Sequence, residues 1–346
     1  MDVFSAALES GGSFLRDAAI AAAYELGVFA ARPAAPTRRM LALLRVLEAI
    51  GSFDGPPPPC PVVAREGWGR LAEVIRTDRP LSATEPVPAA AREPATAARN
   101  PAAGAALETR YQQHLLIASA PAARELVARL PAWLGREPRS LLDLGGGAGA
   151  YTAAFLDAYP DARATIVDRE DVIALARDAL ARFGDRVTFV AGDARDVDAI
   201  DVRVRLARDV DVIDHRVRLA REPAESDAPA PRPRRLVVGH HDVALLANVL
   251  HLHGPAACAE LCAAAARTGD LVAVKDLRPD TLQGRFFALG MAIYTEAGDV
   301  HAADQIRRWL PELSAEHRLE AAEEGFVLTA IARPPELADP AIPPGF

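Results

Sequence analysis

The chain has 346 residues, 39 basic and 47 acidic side chains, and a formal net charge of −8. This length is enough to bury at least one sizeable hydrophobic core, and it fits one large and one small domain. The acidic balance disfavours a nucleic-acid partner, which needs a basic surface, and we interpret the arginine cluster at 232–235 as a solvated loop beside prolines.

The sequence also bears on the compartment and on metal binding. The first residues lack the basic region and unbroken apolar core of a signal peptide, and no stretch reaches the about 18 charge-free apolar residues of a membrane span. Three cysteines, Cys60, Cys258 and Cys262, fit a reducing compartment rather than a disulfide framework. We therefore predict a cytoplasmic protein without membrane association. Cys258 and Cys262 share a helix face without a further ligand at metal spacing, which predicts buried thiols and no metal site.

The N-terminal part is predicted to be helical. Residues 4–29 form an apolar, helix-permissive segment, and Thr37 is a suitable N-cap for a helix with Met40, Leu43, Leu44 and Leu47 on one face. The proline-rich stretches at 55–59 and 79–106 predict loops or linkers. We place a small helical domain at 1–105 and a larger domain at 106–346.

The larger domain contains an apolar run that ends in an acid and a glycine cluster. Residues 141–144 predict a strand, and Gly145, Gly147 and Ala150 satisfy the pattern G-x-G-x-x-A of a ligand-binding turn before a helix. This pattern alone does not separate a nicotinamide dinucleotide from S-adenosylmethionine. Asp143 favours the latter, because a carboxylate repels a pyrophosphate but pairs with the ammonium of a methionine moiety.

Apolar strand-like runs then alternate with helical stretches. The runs cover residues 141–144, 164–167, 187–190, 243–249, 271–274 and 326–331. This order predicts a doubly wound α/β, Rossmann-like sheet, in which ligands bind outside the carboxyl ends of the strands. Asp168, Asp193 and His251 fall at such ends, so we expect these side chains to converge on one crevice.

A direct repeat interrupts this alternation. Residues 195–207 (RDVDAIDVRVRLA) recur at 208–220 (RDVDVIDHRVRLA), and a proline-rich stretch extends the insertion to residue 235. The two copies differ at two positions only, which indicates a recent duplication. Alternating apolar residues and arginines predict a hairpin or an edge strand. Two interpretations stay open, a tolerated surface excursion and a flap over the adenosine end of the ligand site.

These motifs resemble those of the class I S-adenosylmethionine-dependent methyltransferases, in particular the small-molecule O-methyltransferases of bacteria and plants with an N-terminal helical dimerisation domain. An ordered series carries the resemblance: DLGGGAG at 143–149, VD at 167–168, AGD at 191–193, LANVLH at 246–251, GDLVAV at 269–274 and MAIYTEAG at 291–298. The resemblance implies a homodimer through the N-terminal helices. It also implies that the winged-helix-like element usual between those helices is abbreviated, since only residues 30–36 remain.

The resemblance implies S-adenosylmethionine as the cofactor, and its residues are expected to be Asp143, Gly145, Gly147, Asp168, Asp193 and Asn248. Asp168 would accept hydrogen bonds from both ribose hydroxyls, and Asp193 would be the acid on the adenine side. The alternatives from the residues alone are an N-cap for Asp168 and a structural turn for Asp193.

The resemblance also implies that His251 is the general base, because an imidazole accepts a proton near neutral pH. The acids that orient this histidine in plant relatives are not clearly retained, since Lys275 occupies the first such position. Asp276 or Asp299 could hold the imidazole instead. The expected contacts to the acceptor are His253, Phe287, Met291 and Tyr294, although a stripe at helical spacing is as often core.

The predicted function is methyl transfer from S-adenosylmethionine to a hydroxyl of a small aromatic or polyketide-like secondary metabolite. Two alternatives remain. Some proteins of this fold bind the cofactor and catalyse a rearrangement, cyclisation or hydroxylation without transferring methyl. The chain could also be an inactive binding relative, because its N-terminal domain is short, its insertion is duplicated and the orienting acids are displaced.

Overall fold

The N-terminal helices agree with the sequence pattern. The computed structural model describes residues 3–61, 67–81, 109, 112–199, 236–310, 317–322 and 325–331. Helix α1 covers Val3–Glu25, α2 covers Arg38–Ala49 and α3 covers Leu71–Thr77. The Thr37 hydroxyl accepts a hydrogen bond from Met40 N at 3.3 Å, so the predicted N-cap is confirmed. Helix α3 was not predicted, because its seven residues are too few for a clear period.

These helices share a hydrophobic core with helix α8, Leu282–Tyr294, of the larger domain. Leu43, Val46 and Leu47 of α2 are fully buried in this cluster, together with Phe286 and Leu289 of α8. Residues 82–108, where the predicted linker and domain boundary lie, are outside the described residues. The domain boundary between residues 105 and 106 therefore stays a prediction. The N-terminal helices pack against the buried face of α8.

The larger domain contains a seven-stranded sheet of order β3-β2-β1-β6-β7-β9-β8. Its strands are β1 Ser140–Leu144, β2 Arg163–Asp168, β3 Val187–Ala191, β6 His241–Ala247, β7 Gly269–Asp276, β8 His317–Ala322 and β9 Gly325–Ile331. Strands β1, β2, β3, β6 and β7 are parallel, whereas β9 runs antiparallel to β7 and β8. The doubly wound α/β prediction is confirmed.

Alternate side chains of the central strands face two separate cores. Leu141 and Val243 belong to a cluster with α4 (Ala120–Leu134), α5 (Ala150–Ala158) and α6 (Glu170–Ala179). Leu142 and Ala244 belong to a cluster with α7 (Pro255–Thr268) and α9 (Ala303–Trp309). Because parallel strands are buried on both faces, their sequences are continuous apolar runs, which is the signal that predicted them.

Strands β1 and β6 are neighbours, while β2 and β3 extend from β1 in the opposite direction. The chain order therefore reverses at β1, and such a switch point leaves a crevice outside the carboxyl ends of the strands. All six predicted strands are present. Strand β8 was not predicted, and neither was a short parallel pair formed by β4 (Val197–Ala199) and β5 (Leu236–Val238).

The pair β4 and β5 brackets the insertion, because Val197 pairs with Leu236 and Ala199 with Val238. The predicted hairpin or edge strand within the repeat falls on residues 200–235, which lie outside the described residues, so neither interpretation of the insertion is decided. In the described part of the chain, no helix combines the length and apolar character needed to cross a membrane.

Candidate active site

The loop after β1 opens the site. Gly145 has a φ of +72° and Gly147 a φ of +57°, in the left-handed region that glycine adopts without strain. Space is limited too, because a Cβ on Gly145 would lie 2.7 Å from Val249 Cγ2 and one on Gly147 would lie 2.8 Å from Gln112 Oε1. The loop therefore favours glycine at both positions of the sequence pattern, and it leads into the N-terminus of α5.

A cavity of about 500 Å³ lies outside the carboxyl ends of β1, β2, β3 and β6. This volume is in the range of small-molecule sites. The predicted cofactor residues that line it are Gly145, Gly147, Asp168, Asp193 and Asn248. Other lining residues include Gln112, Tyr151, Arg169, Arg195, Val249 and His253. The structure thus brings most of the predicted cofactor residues to one crevice at the switch point.

Asp168 ends β2 and is held by two backbone groups. Gly147 N donates to Oδ2 at 2.9 Å, and Arg169 N donates to Oδ1 at 2.7 Å. The N-cap residue of α6 is Arg169, one position later, so the N-cap interpretation of Asp168 does not describe this structure. The carboxylate lies on the cavity wall beside the glycine loop, and its role toward a ribose stays a prediction.

Asp143 lies beneath the glycine loop and not on the cavity wall. Its side chain is 1% exposed, and Oδ2 accepts a hydrogen bond from Thr152 Oγ1 at 2.8 Å. Burial raises the pKa of Asp143 to about 6, although the bond from Thr152 opposes this shift. A Cβ on Gly146 would lie 2.7 Å from Asp143 Cγ, so the acid supports the loop from below. This buried position does not support the predicted direct contact between Asp143 and a methionine ammonium.

Asp193 follows β3 and has a structural partner as well as a place on the cavity wall. Its carboxylate caps the short turn at 194–196 by accepting from Arg195 N at 2.9 Å, and it binds Arg195 Nε at 3.0 Å. Burial alone would raise the pKa of Asp193, but the hydrogen bonds from Arg195 outweigh it and lower that pKa. The structural-turn interpretation of Asp193 is confirmed, and its predicted role on the adenine side of the cofactor stays a prediction.

His253 also lines this cavity, close to Asp193 and Arg195. Burial and the charge of Arg195 lower the pKa of His253 to about 4, so its imidazole is neutral at physiological pH. It was predicted as an acceptor contact. The structure places it on the cavity of the glycine loop, on the side of β3.

His251 and Asp276 form a buried pair. His251 lies in a turn after β6, Asp276 ends β7, and their side chains are 4% and 1% exposed. His251 Nδ1 lies 2.7 Å from Asp276 Oδ1, and His251 N donates to Oδ2 at 3.2 Å. Leu277 N donates to Oδ1 at 2.8 Å. An ionised carboxylate only accepts, so Nδ1 carries the hydrogen and Nε2 remains the basic nitrogen.

The charge state of Asp276 supports this assignment. Burial would raise the pKa of Asp276, but the neighbouring His251 and the hydrogen bonds to the carboxylate lower it below its usual value. Asp276 is therefore ionised at neutral pH, and its carboxylate places a negative charge next to the imidazole. This arrangement of a histidine oriented by a buried acid is typical of general-base catalysis.

The predicted acceptor residues of α8 divide between two environments. The Phe287 ring stands edge-on to the His251 ring, with centroids 4.7 Å apart. Met291 is buried one turn further along the same helix. Tyr294 instead packs against the core cluster of the N-terminal helices. The structure brings Phe287 to the histidine. Tyr294 is instead a core residue, which was the alternative interpretation.

Asp299 does not meet His251 in this structure. It accepts from Val300 N at 2.8 Å and lies 3.7 Å from Arg45 of α2. Asp276 is the acid at the imidazole, and the choice that the sequence left open is decided by these contacts. The segment around Asp299 is nevertheless close to the histidine, since a Cβ on Gly298 would lie 2.6 Å from the His251 carbonyl oxygen.

Sequence reasoning missed two contributors to the site. Gln112, in a helical segment at 112–118, accepts a hydrogen bond from Ala148 N at 3.0 Å, and no motif marks it. Lys275 donates from Nζ to Asn248 Oδ1 at 2.8 Å. Two sequence features could have indicated a role for Lys275. It is the only lysine in the chain, and it follows an apolar run that predicts a buried strand.

The cysteines of α7 are buried as predicted, and both thiols are fully buried. Cys258 Sγ lies 3.2 Å from the Leu250 carbonyl oxygen and 3.5 Å from His301 Nε2. Burial raises the pKa of Cys262 to about 12, so this thiol is protonated at neutral pH. Among the described residues, no group of three or more His, Cys, Asp and Glu side chains is arranged to hold a metal ion.

The sheet order, the glycine loop at the switch point and the acids after β2 and β3 define the class I methyltransferase fold. Residues 132–204 match the family model described as an O-methyltransferase domain. Human N-acetylserotonin methyltransferase, solved in complex with SAM, has this fold, with a TM-score of 0.54 over 96% of this chain and 98% of that chain at 18% identity. The predicted resemblance to the O-methyltransferase family is confirmed.

Two characterised relatives match shorter parts of the chain. Phenazine-1-carboxylate N-methyltransferase of Pseudomonas aeruginosa is 44% identical over 66 residues, which are 18% of this chain and 20% of that protein. The 3-hydroxy-5-methyl-1-naphthoate 3-O-methyltransferase of Streptomyces sahachiroi is 32% identical over 129 residues, 37% of this chain and 34% of that protein. The similarity therefore spans about a third or less of either relative.

Proposed function

We propose that this protein is an S-adenosylmethionine-dependent methyltransferase that methylates a hydroxyl of a small aromatic metabolite. The observation that carries the proposal is the His251–Asp276 pair, buried at the carboxyl edge of the same sheet whose glycine loop forms the cavity. A cavity alone would suit many nucleotides. An imidazole that a buried acid orients at the same sheet edge suits a reaction in which a proton leaves an acceptor.

The cavity residues fit the cofactor. The loop at Gly145 and Gly147 admits a ligand close to its backbone, as the methionine end of S-adenosylmethionine requires. Asp168 supplies a carboxylate for the ribose, and Asp193 supplies one on the adenine side. The bound cofactor supplies a methyl group that its sulfonium already activates. The protein therefore has to align the acceptor oxygen with that methyl carbon and remove the acceptor's proton.

His251 performs the proton transfer in this proposal. The acceptor O–H proton would pass to Nε2, and the acceptor oxygen would take the methyl group that the cofactor supplies. Asp276 keeps the hydrogen on Nδ1 and neutralises the imidazolium. Phe287 packs against the imidazole and restricts its rotation. The products are the methyl ether and S-adenosylhomocysteine.

The names of the relatives support a fused-ring aromatic acceptor, since one acts on a phenazine carboxylate and the other on a hydroxynaphthoate. They differ in the methylated atom. The ring nitrogens of a phenazine carry no proton and need no base, whereas a phenolic hydroxyl loses its proton on methylation. The oriented pair of His251 and Asp276 therefore favours O-methylation over N-methylation.

The direct test incubates the protein with S-adenosylmethionine and a panel of hydroxylated naphthoates, phenazines and simple phenols. We expect one acceptor to gain the mass of one CH₂ unit, with S-adenosylhomocysteine formed in equal amount. An altered acceptor without S-adenosylhomocysteine would support the non-methylating alternative. Failure of calorimetry to detect S-adenosylhomocysteine binding would contradict the proposal and favour an inactive relative.

We further propose that the protein acts as a homodimer through its N-terminal helices. Phe14 of α1 and Leu41 of α2 are 45% and 39% exposed, although apolar side chains on both helices otherwise fill a core. Such exposed apolar groups are suited to a protein contact. Light scattering of the purified protein tests this, and a monomer at micromolar concentration would contradict it.

A further inference from the structure

Lys275 is a buried cation next to the site. It is the only lysine in the chain, and 5% of it is exposed. Lysine is almost never buried to this extent unless it is paired. Its Nζ donates to Asn248 Oδ1 at 2.8 Å, and β6 pairs with β7 so that Lys275 lies opposite Ala247. The strand register therefore places the ammonium group at the residue that follows β6.

This contact determines which end of the Asn248 amide faces Lys275. An ammonium group only donates, so it binds the amide oxygen, and the Nδ2 group must point elsewhere. The backbone is held as well, because Asn248 N donates to Lys275 O at 2.8 Å. Asn248 has a φ of +57°, a conformation that is uncommon outside glycine but that asparagine tolerates. Backbone and side chain of Asn248 are thus both tied to Lys275.

Asn248 lines the cavity beside the glycine loop. Its neighbour Val249 contacts the position that a Cβ on Gly145 would occupy, so this side of the cavity adjoins the loop. Among the residues that the structure describes, none accepts a hydrogen bond from Asn248 Nδ2. The Asn248 Oδ1 atom is already bound to Lys275. The N–H groups of Nδ2 therefore remain to bind a ligand in the cavity.

We propose that Lys275 is a positioning residue that holds the Asn248 amide with Nδ2 toward the cavity, where it donates to an oxygen of the bound cofactor. This inference rests on the proposed function. Lysine selects this orientation, because its ammonium group only donates and therefore binds the amide oxygen of Asn248.

The test measures S-adenosylhomocysteine affinity by calorimetry, which needs no acceptor. Lys275→Met removes the donor but keeps a long apolar side chain, and we expect the affinity to fall about 3- to 10-fold, the range of one neutral hydrogen bond. Lys275→Arg keeps a donor-only cation and should stay close to wild type. Asn248→Ala should lose as much as Lys275→Met, and the double variant should lose no more than either, because both changes remove one contact.

A purely structural or electrostatic role for Lys275 predicts a different result. Its charge also lowers the pKa of Asp276, and loss of that effect would alter the pH dependence of turnover without changing S-adenosylhomocysteine affinity. Unchanged affinity in Lys275→Met, or additive losses in the double variant, would overturn the proposal. If Lys275→Met does not fold, Asn248→Asp decides, because its carboxylate still pairs with Lys275 but cannot donate. Wild-type affinity in Asn248→Asp would overturn the inference, whereas no binding by the wild type would instead contradict the proposed function.

Discussion

The two halves of the sheet's carboxyl edge present different chemical groups. On the side of β1, β2 and β3, the site is a cavity bounded by a glycine loop and by carboxylates that backbone N–H groups hold. On the side of β7, the site is a buried pair of side chains, His251 and Asp276, packed against Phe287 of α8. We call these the cofactor half and the acceptor half.

The two halves also differ in how far apart in the sequence their residues lie. The cofactor half is built from short segments at the ends of successive strands, and its shape depends on backbone conformation. The acceptor half depends on side chains that are 25 residues apart in sequence and meet only because β6 and β7 are adjacent. A change in one half should therefore leave the chemistry of the other half intact.

The largest effect is expected from removing the base in the acceptor half. His251→Ala should lower turnover roughly 10²- to 10⁴-fold, because no group then takes the acceptor proton, while S-adenosylhomocysteine affinity changes little. Steady-state kinetics and calorimetry measure the two quantities. His251→Gln should restore little, since an amide is not basic. His253→Ala is the matched control, because burial and Arg195 lower the pKa of His253 to about 4 and make it a poor base. Full activity in His251→Ala would refute the assignment.

The converse change disrupts the cofactor half. Gly147→Leu should weaken S-adenosylhomocysteine binding by about 100-fold or more, because a side chain at φ of +57° is strained and its atoms enter the site. Calorimetry measures the loss. Gly184→Leu is a useful control, since Gly184 has the same φ but no atom within 4 Å of its Cβ position. Equal binding by Gly147→Leu and wild type would show that the ligand does not approach this loop.

A smaller effect should separate the two candidate acids. Asp276→Asn should lower turnover about 10- to 100-fold, because the imidazole loses the charge that stabilises its protonated form. Asp299→Asn, the matched control, should stay within a few-fold of wild type, since Asp299 contacts Arg45 and Val300 instead. Initial rates at saturating acceptor compare them. The same loss in both variants would mean that the two acids act together on His251.

Asp143 gives the cofactor half a pH dependence of stability. Its folded pKa of about 6 exceeds the value of about 3.9 expected in the unfolded chain, so the folded state binds its proton more tightly. This contribution is present below about pH 4, is lost as pH rises to about 6, and amounts to at most about 3 kcal/mol.

Asp143→Asn should therefore gain stability relative to wild type between pH 4 and pH 7, by about 1–3 kcal/mol. Thermal or urea unfolding across that range measures the difference. Asp185→Asn, which removes an exposed carboxylate, is the control. A pH-independent difference for Asp143→Asn would mean that folding does not raise the pKa of this acid.

The smallest effect is expected from shortening the insertion. Deleting residues 208–220 removes one copy of the repeat but leaves β4 and β5, whose pairing closes the excursion. Because loop-closure cost rises slowly with length, we expect stability to change by about 1 kcal/mol or less. Urea unfolding measures this. Retained folding with much weaker S-adenosylhomocysteine binding would support a flap, and loss of soluble protein would show that the second copy is packed.

The fold class and most of the cofactor half are predictable from local sequence patterns. Continuous apolar runs predicted the parallel strands because both faces of such a sheet are buried, and Gly145 and Gly147 predicted the loop because their backbone conformations are left-handed. Thr37 predicted the start of α2 for an equally local reason. Each of these features depends on residues close together in the chain.

The acceptor half and the partners of the buried polar groups depend on contacts between distant segments. Strand adjacency brought Asp276 to His251 and sent Asp299 to Arg45, although both acids were equally acceptable in the sequence. Burial placed Asp143 under the glycine loop with Thr152 as its hydrogen-bond partner, and it left Lys275 bound to Asn248. Side-chain partners and burial arise from packing between distant segments, and no spacing rule along one sequence specifies them.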